Sequence, residues 1–168
     1  MGRKAGLNPE AAPEDGAPGA AERPTPERAP AERAASRGED ARRPPAGAEI
    51  AADGLRLPAP LARAAELALD RKARDVLVLD LREVSNATDY FLILSGSSDT
   101  HVKGVSEHIL EELRREGVRA NHVEGLRSGR WVLLDYIDFV VHVFHPDARA
   151  FYQLETLWGD APRERLTA

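Results

Sequence analysis

The chain has 168 residues, a net charge of −5 and no cysteine. The absence of cysteine excludes disulfides, thiolate catalysis and zinc-thiolate sites, and it fits a cytoplasmic protein. No apolar run approaches the length that crosses a bilayer, so we expect no membrane association. From Pro60 onward there are 14 basic and 18 acidic residues. We therefore expect little or no direct nucleic-acid binding, which needs a basic face, and a basic protein is the better-suited partner.

The first third of the chain differs in composition from the rest. Up to Glu49 it contains no Phe, Tyr, Trp or Val and a single Leu, while eight of the twelve prolines lie there. Such a segment cannot bury enough apolar area to offset its conformational entropy. Residues 1–55 are predicted to be a disordered Pro/Ala/Gly-rich extension, and residues 56–168 the domain. A transit peptide is the competing interpretation, but nine acidic residues against eight basic ones argue against it.

Hydrophobic periodicity predicts the elements of the first half of the domain. Apolar positions at helical spacing predict two amphipathic helices, and short apolar runs rich in β-branched residues predict strands. Ser98 is a suitable N-cap and Gly117 a suitable C-terminal stop for the second helix. The predicted order is a helix over Pro60 to Lys72, strands over Asp75 to Leu81 and Tyr90 to Ser95, a helix from Ser98 to Gly117, and a shorter edge strand over Val118 to Val123.

The stretch after Arg130 contains the most clearly bounded elements. Trp131 to Asp135 and Phe139 to Phe144 are predicted strands, apolar on both faces, and their short link makes them antiparallel. Pro146 then fits the first position of a helix that Gly159 ends. Strands that are buried on both sides need helices on both sides of the sheet. The sequence therefore predicts an α/β domain with a mixed five-stranded sheet flanked by helices.

The turn Gly96-Ser97-Ser98, between a strand and a helix, is a candidate phosphate-binding turn. It favours a magnesium-dependent nucleotidyltransferase as the alternative function. Such enzymes also need two carboxylates one residue apart on the next strand, and that pair is missing here. An ordinary helix cap is the favoured interpretation, and we predict no catalytic residue.

The histidines do not make a convincing metal or catalytic site. His101 and His108 are seven residues apart on one helix, about 10 Å along its axis, which is too far for neighbouring ligands of one ion. His142 lies in an apolar strand without a serine or cysteine nucleophile near it in sequence. We predict that it is a hydrogen-bonded core histidine, and we predict no metal and no cofactor.

Aromatic side chains are concentrated near the end of the chain, and they point to a binding face. Phe151 and Tyr152 are adjacent, so one helix cannot turn both of them inward. At least one ring is therefore expected at the surface, where aromatic residues anchor protein interfaces.

These residues also carry a resemblance to a known family. The segments DVLVLDLREVSNATDYFLILSGSSDTHVKGVSEHILEELRREG and VEGLRSGRWVLLDYIDFVVHVFHPDARAFYQLETLWGD resemble the ribosomal silencing factors, the RsfS or Iojap family. The similarity covers roughly Leu61 to Asp160. It includes the Ser-Asn-Ala-Thr-Asp-Tyr segment, the Gly-Ser-Ser turn and the closing Tyr152-x-Leu-Glu-x-Leu-Trp158.

The resemblance implies a function and a partner. It implies a nucleotidyltransferase-like fold without the catalytic carboxylates, and a protein that binds the large ribosomal subunit through universal large-subunit ribosomal protein fourteen. A protein held there blocks the small subunit by occupying its space, which represses translation. Homodimers are also implied. The resemblance places the partner surface on the later strands and the last helix, so the predicted contact residues are Trp131, Asp135, Phe151, Tyr152 and Glu155, with Glu124 and Arg130 at the rim.

Overall fold

The computed structural model describes residues 50–52 and 55–168. Most of the predicted extension over residues 1–55 therefore lies outside the described residues. The strands are β1 (Ile50–Ala52), β2 (Leu55–Leu57), β3 (Arg74–Asp80), β4 (Tyr90–Ser95), β5 (His122–Glu124), β6 (Trp131–Asp135), β7 (Phe139–Phe144) and β8 (Arg163–Leu166). The helices are α1 (Ala59–Asp70), α2 (Asp99–Arg115), α3 (Pro146–Tyr152) and the single turn α4 (Leu154–Leu157).

The main sheet is mixed, as predicted, but it has six strands rather than five. The strand order is β5-β6-β7-β4-β3-β8, in which β4 and β7 are parallel and the other neighbours are antiparallel. The strand that the sequence did not predict is β8, with the sequence RERL, which pairs with β3 at the sheet edge. Its side chains are exposed or half-buried, so it has no apolar run by which to recognise it. Residues 50–52 and 55–57 form a separate two-stranded hairpin.

One side of the sheet, which we call the α1–α2 face, is covered by the two long helices. Leu61, Ala64, Ala65 and Ala68 recur at helical spacing and are all buried. In α2 the buried stripe consists of Val102, Val105, Ile109 and Leu113. The helix begins as predicted, because the Ser98 hydroxyl accepts a hydrogen bond from the His101 backbone N–H at 3.1 Å. These stripes pack on the alternate side chains of the strands and form the larger core.

The opposite side, the α3–α4 face, is covered by short elements and by aromatic rings. Its buried set comprises Leu77, Leu79, Leu81, Phe91, Ile93, Trp131, Leu133, Val140, Phe144, Ala148, Leu154 and Ala161, with Trp158 packed against it. The helix predicted from Pro146 to Gly159 is broken. Gln153 adopts the left-handed conformation (φ 46°, ψ 49°), so α3 ends there and α4 starts in a new direction.

Candidate functional site

Trp131, predicted to touch a partner, is mainly a core residue. It opens β6 next to Gly125, whose positive φ of 84° lets the backbone approach the Trp131 carbonyl oxygen closely. Only 9% of Trp131 is exposed. Its ring stacks on Phe144, with centroids 4.8 Å apart, and lies 4.6 Å from the Tyr152 ring. Trp131 is therefore a buried platform behind Tyr152.

The orientation of Trp131 is fixed by the histidine in the next strand. Trp131 Nε1 donates a hydrogen bond to Nδ1 of His142 over 3.1 Å. The pairing of β6 with β7 produces this contact. Leu133 lies directly opposite His142, and Trp131, two residues before Leu133, is therefore the diagonal neighbour of His142. His142 is fully buried, and this burial lowers its pKa to about 3. It is thus a neutral, hydrogen-bonded core histidine, as predicted.

Phe151 and Tyr152 form an exposed ring pair at the end of α3. Phe151 is 80% exposed and Tyr152 is 37% exposed. The two rings meet edge to face, with centroids 5.1 Å apart. The prediction that at least one of these rings lies at the surface is therefore confirmed. Because Tyr152 also rests on Trp131, the pair is supported from the core.

Glu155 lies near this pair, but its carboxylate already has a partner within the protein. Arg149 Nε and Nη2 both lie 2.7 Å from Glu155 Oε1. The side chains of Arg149 and Glu155 are only 14% and 21% exposed. Tyr152 and Glu155 were expected to share one helix face, and the break at Gln153 places them on two different helices instead.

The three other predicted contact residues occupy three places around β6. Arg130 precedes the strand, near the exposed ring pair, and lies 3.5 Å from Asp99 and 3.9 Å from Asp147. Asp135 ends the strand, about 13 Å from Trp131 at the rise of a β-strand, and its Oδ1 accepts from the backbone N–H of Ile137 at 2.8 Å. Glu124 lies on the edge strand β5.

Glu124 is paired within β5, because its Oε1 lies 2.9 Å from His122 Nε2.

The structure therefore gathers five of the seven predicted residues at one end of the sheet. That set consists of Arg130, Trp131, Phe151, Tyr152 and Glu155. Asp135 lies at the other end of β6 and Glu124 on the neighbouring edge strand.

The Gly96-Ser97-Ser98 turn uses its polar groups internally. The Ser97 backbone N–H donates to His101 Nδ1 at 2.9 Å, and the Ser97 hydroxyl lies 3.0 Å from the same nitrogen. His101 Nε2 in turn donates to the Arg71 carbonyl oxygen over 2.7 Å. The two Ser97 groups that could donate to a phosphate are thus engaged by the imidazole ring. Within residues 50–52 and 55–168, no group of three or more His, Asp or Glu side chains is placed to hold a metal ion.

Two residues of this region were not predicted from sequence, Arg149 and Gln153. Arg149 Nη1 donates to the Ser95 hydroxyl and to the Asp75 carbonyl oxygen, both over 2.8 Å. These acceptors are more than fifty positions away in the chain, so no local sequence pattern predicts the contact. A left-handed glutamine likewise carries no sequence signal, since glycine and asparagine are the usual residues there.

Comparison with known proteins places the chain in a family. A sequence model of the family described as "Ribosomal silencing factor during starvation" matches residues 56–168. The chain is 46% identical over 93 residues to the ribosomal silencing factor RsfS of Bacillus subtilis, covering 55% of this chain and 79% of the relative. It is 42% identical over 97 residues to RsfS of Halalkalibacterium halodurans, covering 58% and 83%.

The fold is similar to that of a solved structure. The crystal structure of a Bacillus halodurans protein superposes with a TM-score of 0.57 at 38% identity, covering 63% of this chain and 96% of that one. In the described part of this chain, no helix is both long and apolar enough to cross a membrane. The chain belongs to the family of ribosomal silencing factors, RsfS, whose members bind the ribosome and are not enzymes.

Proposed function

We propose that this chain silences translation by occupying the surface on which the large ribosomal subunit receives the small one. The proposed contact is universal large-subunit ribosomal protein fourteen, as the family resemblance implies. The proposed site of action is the cytoplasm. Family membership supports the binding of the large subunit in general terms, and the features of the chain itself support a protein contact near α3.

The observation that carries the proposal is the exposed ring pair, Phe151 and Tyr152. A phenylalanine with 80% of its surface in water gains little from folding. It gains when a partner covers it, and aromatic residues in well-packed pockets commonly dominate the binding energy of protein interfaces. Tyr152 is held against Trp131, with ring centroids 4.6 Å apart, so Tyr152 loses little conformational entropy on binding.

Charge supports a basic partner. The residues from Pro60 onward carry four more acidic than basic side chains, counted as 18 against 14. Near the ring pair, Glu155 is engaged by Arg149, whereas the Asp147 side chain on α3 is 77% exposed. We therefore propose Asp147, rather than Glu155, as a carboxylate that faces the basic side chains of the partner. Such rim charges mainly raise the association rate and its sensitivity to salt.

Co-sedimentation with purified large subunits tests the proposal. The full chain should sediment with large subunits at moderate salt and should not sediment with small subunits. Phe151→Ala and Tyr152→Ala should each weaken binding by ~2 kcal/mol or more, as expected for interface anchors. Val84→Ala is the matched control, because Val84 is an exposed apolar residue in the β3–β4 connection. Failure of the unaltered chain to sediment with large subunits would contradict the proposal.

The family resemblance also implies a homodimer and a nucleotidyltransferase-like fold. We propose the homodimer for the chain when it is off the ribosome. Sedimentation equilibrium of the purified chain tests this, because a dimer has twice the mass of 18.3 kDa. A single species at the monomer mass, at micromolar concentration, would contradict it.

A further inference from the structure

We propose that Arg149 is the positioning residue of the docking surface, and that Glu155 acts through Arg149 rather than by touching a partner. Arg149 fixes the corner between α3 and α4, from which Phe151 and Tyr152 project. This inference rests on the proposed function, because it concerns the same surface.

Several separate elements meet at the Arg149 guanidinium. Its Nε and Nη2 reach the Glu155 carboxylate in α4, both over 2.7 Å. Its Nη1 reaches the Ser95 hydroxyl at the end of β4 and the Asp75 carbonyl oxygen in β3, each over 2.8 Å. One side chain of α3 thus ties α4 to two neighbouring strands of the sheet.

The sheet is irregular where Arg149 contacts it. The pairing of β3 with β4 shifts between Arg74 and Leu77, and Asp75 has a positive φ of 49°. A β-bulge of this kind leaves a backbone group without its partner in the ladder. Here the Asp75 carbonyl oxygen accepts from Arg149 instead. The irregular backbone and the guanidinium therefore support each other.

The corner between α3 and α4 lies at Gln153. Gln153 is held in the left-handed region, which is unfavourable for a residue with a side chain. Its backbone N–H donates to the Arg149 carbonyl oxygen at 3.0 Å. The Arg149 backbone thus closes the end of α3, while its side chain holds the first turn of α4. Phe151 and Tyr152 lie between these two attachments, so their direction depends on both.

Burial strengthens the ion pair beyond an ordinary surface one. The Arg149 and Glu155 side chains are 14% and 21% exposed, whereas those of Arg165 and Asp75 are 62% and 63% exposed. Exposed pairs contribute little because water and salt screen them, and a mostly buried pair is screened much less. Arg165 therefore provides a matched control, since its pair ends on the side chain of the same Asp75.

Binding of the full chain to large ribosomal subunits is the first test. Arg149→Met, which keeps much of the aliphatic length, should weaken binding by roughly tenfold or more, a factor that corresponds to ~1.4 kcal/mol. The double variant with Glu155→Gln should bind no more weakly than Arg149→Met alone, because both changes break the same contact. Arg165→Met should bind as the unaltered chain does. If Arg149→Met fails to fold, Arg149→Lys should be used. It should also weaken binding, but by a smaller factor, since lysine cannot reach all the acceptors.

Ring-to-ring nuclear Overhauser effects between Trp131 and Tyr152 provide a second readout. They should be present in the unaltered chain and weakened in Arg149→Met, while contacts on the α1–α2 face persist. This measurement needs no ribosome. If the unaltered chain fails to bind subunits, the proposed function is overturned, while the positioning role of Arg149 can still be tested. Unchanged affinity and unchanged ring contacts in a folded Arg149→Met would overturn the inference. The opposite outcome is that Arg149→Met and Glu155→Gln weaken binding equally and that the two losses in affinity multiply in the double variant. That outcome would show that Glu155 touches the partner directly.

Discussion

The two faces of the sheet are covered in different ways. On the α1–α2 face, two long helices lay regular stripes of aliphatic side chains on the strands, and the predicted helices needed little correction. On the α3–α4 face, two short helices meet at a left-handed glutamine, over a layer that contains a tryptophan, a buried histidine and a half-buried ion pair. The comparison suggests that the first face supplies stability, while the second holds an exposed ring pair in place.

The largest expected effect is on the α1–α2 face. Ile109 belongs to the buried stripe of α2 and is fully buried. Ile109→Ala should lower the free energy of unfolding by ~2–5 kcal/mol, because it leaves a cavity in a closed core. Urea unfolding measures this change. The fraction that remains folded should bind large subunits normally, and a selective loss of binding would contradict the division between the two faces.

The second effect should appear in binding and not in stability. Phe151 is 80% exposed, so Phe151→Ala should change the free energy of unfolding by less than ~0.5 kcal/mol. The same substitution should cost ~2 kcal/mol or more of binding to large subunits. Thermal unfolding and co-sedimentation of one preparation provide both numbers. A variant that loses stability instead would mean that Phe151 packs against the protein in solution.

The third prediction concerns pH and the buried histidine. The folded-state pKa of His142, about 3, lies below its ordinary value of 6.5. The stability that comes from keeping His142 neutral in the folded protein is therefore fully present above pH 6.5. It is lost as the pH falls from about 6.5 toward 3, at up to ~1.4 kcal/mol per pH unit, because the unfolded chain takes up a proton that the folded chain does not.

His142→Gln isolates this contribution, because a glutamine oxygen can accept the Trp131 hydrogen bond but does not titrate. Urea unfolding at pH 7, 6 and 5 should show a steeper fall for the unaltered chain than for the variant. If the free energy of unfolding changes with pH equally in the two proteins, His142 is protonated in the folded protein.

The fourth effect is smaller and has the opposite sign. Ile137, in the β6–β7 turn, has a positive φ of 73°, which is unusual for a β-branched residue. Ile137→Gly should raise the free energy of unfolding by at most ~1 kcal/mol, because glycine adopts this conformation without strain, although its greater freedom in the unfolded chain offsets part of the gain. The turn lies at the opposite end of β6 from Trp131. Subunit binding should stay unchanged, and weaker binding would place part of the partner surface at this turn.

The smallest effect is expected from the N-terminal extension. Removing residues 1–49 should leave the melting temperature and the affinity for large subunits nearly unchanged, because their composition cannot specify a core. Extending the deletion through residue 55 also removes β1 and Leu55, which packs against the α1–α2 core, and should cost slightly more stability. A large loss from the shorter deletion would show that the extension docks on the domain.

Sequence reasoning succeeded where local pattern decides the structure. The strands Tyr90–Ser95, Trp131–Asp135 and Phe139–Phe144 were predicted with the bounds that the structure shows, because each is an apolar run between polar turns. It missed β8, whose polar side chains belong to an exposed edge, so no hydrophobic pattern marks it. Pairing with β3, rather than apolar burial, makes that segment a strand.

The candidate surface was harder to predict because long-range contacts determine it. The exposed ring pair followed from the adjacency of Phe151 and Tyr152. The burial of Trp131 did not follow, since it depends on a hydrogen bond to His142 that strand register creates. The role of Glu155 could not be predicted either, because its contact with Arg149 depends on the break between the two helices at Gln153.

We propose that this chain prevents subunit joining by means of the Phe151 and Tyr152 surface. The most direct measurement is the formation of whole ribosomes from purified subunits, followed by light scattering, with the large subunits first saturated with the chain. Joining should be blocked by the unaltered chain and equally by Val84→Ala. It should proceed when the double variant Phe151→Ala, Tyr152→Ala is present at the same concentration. Normal joining in the presence of saturating unaltered chain would contradict the proposal.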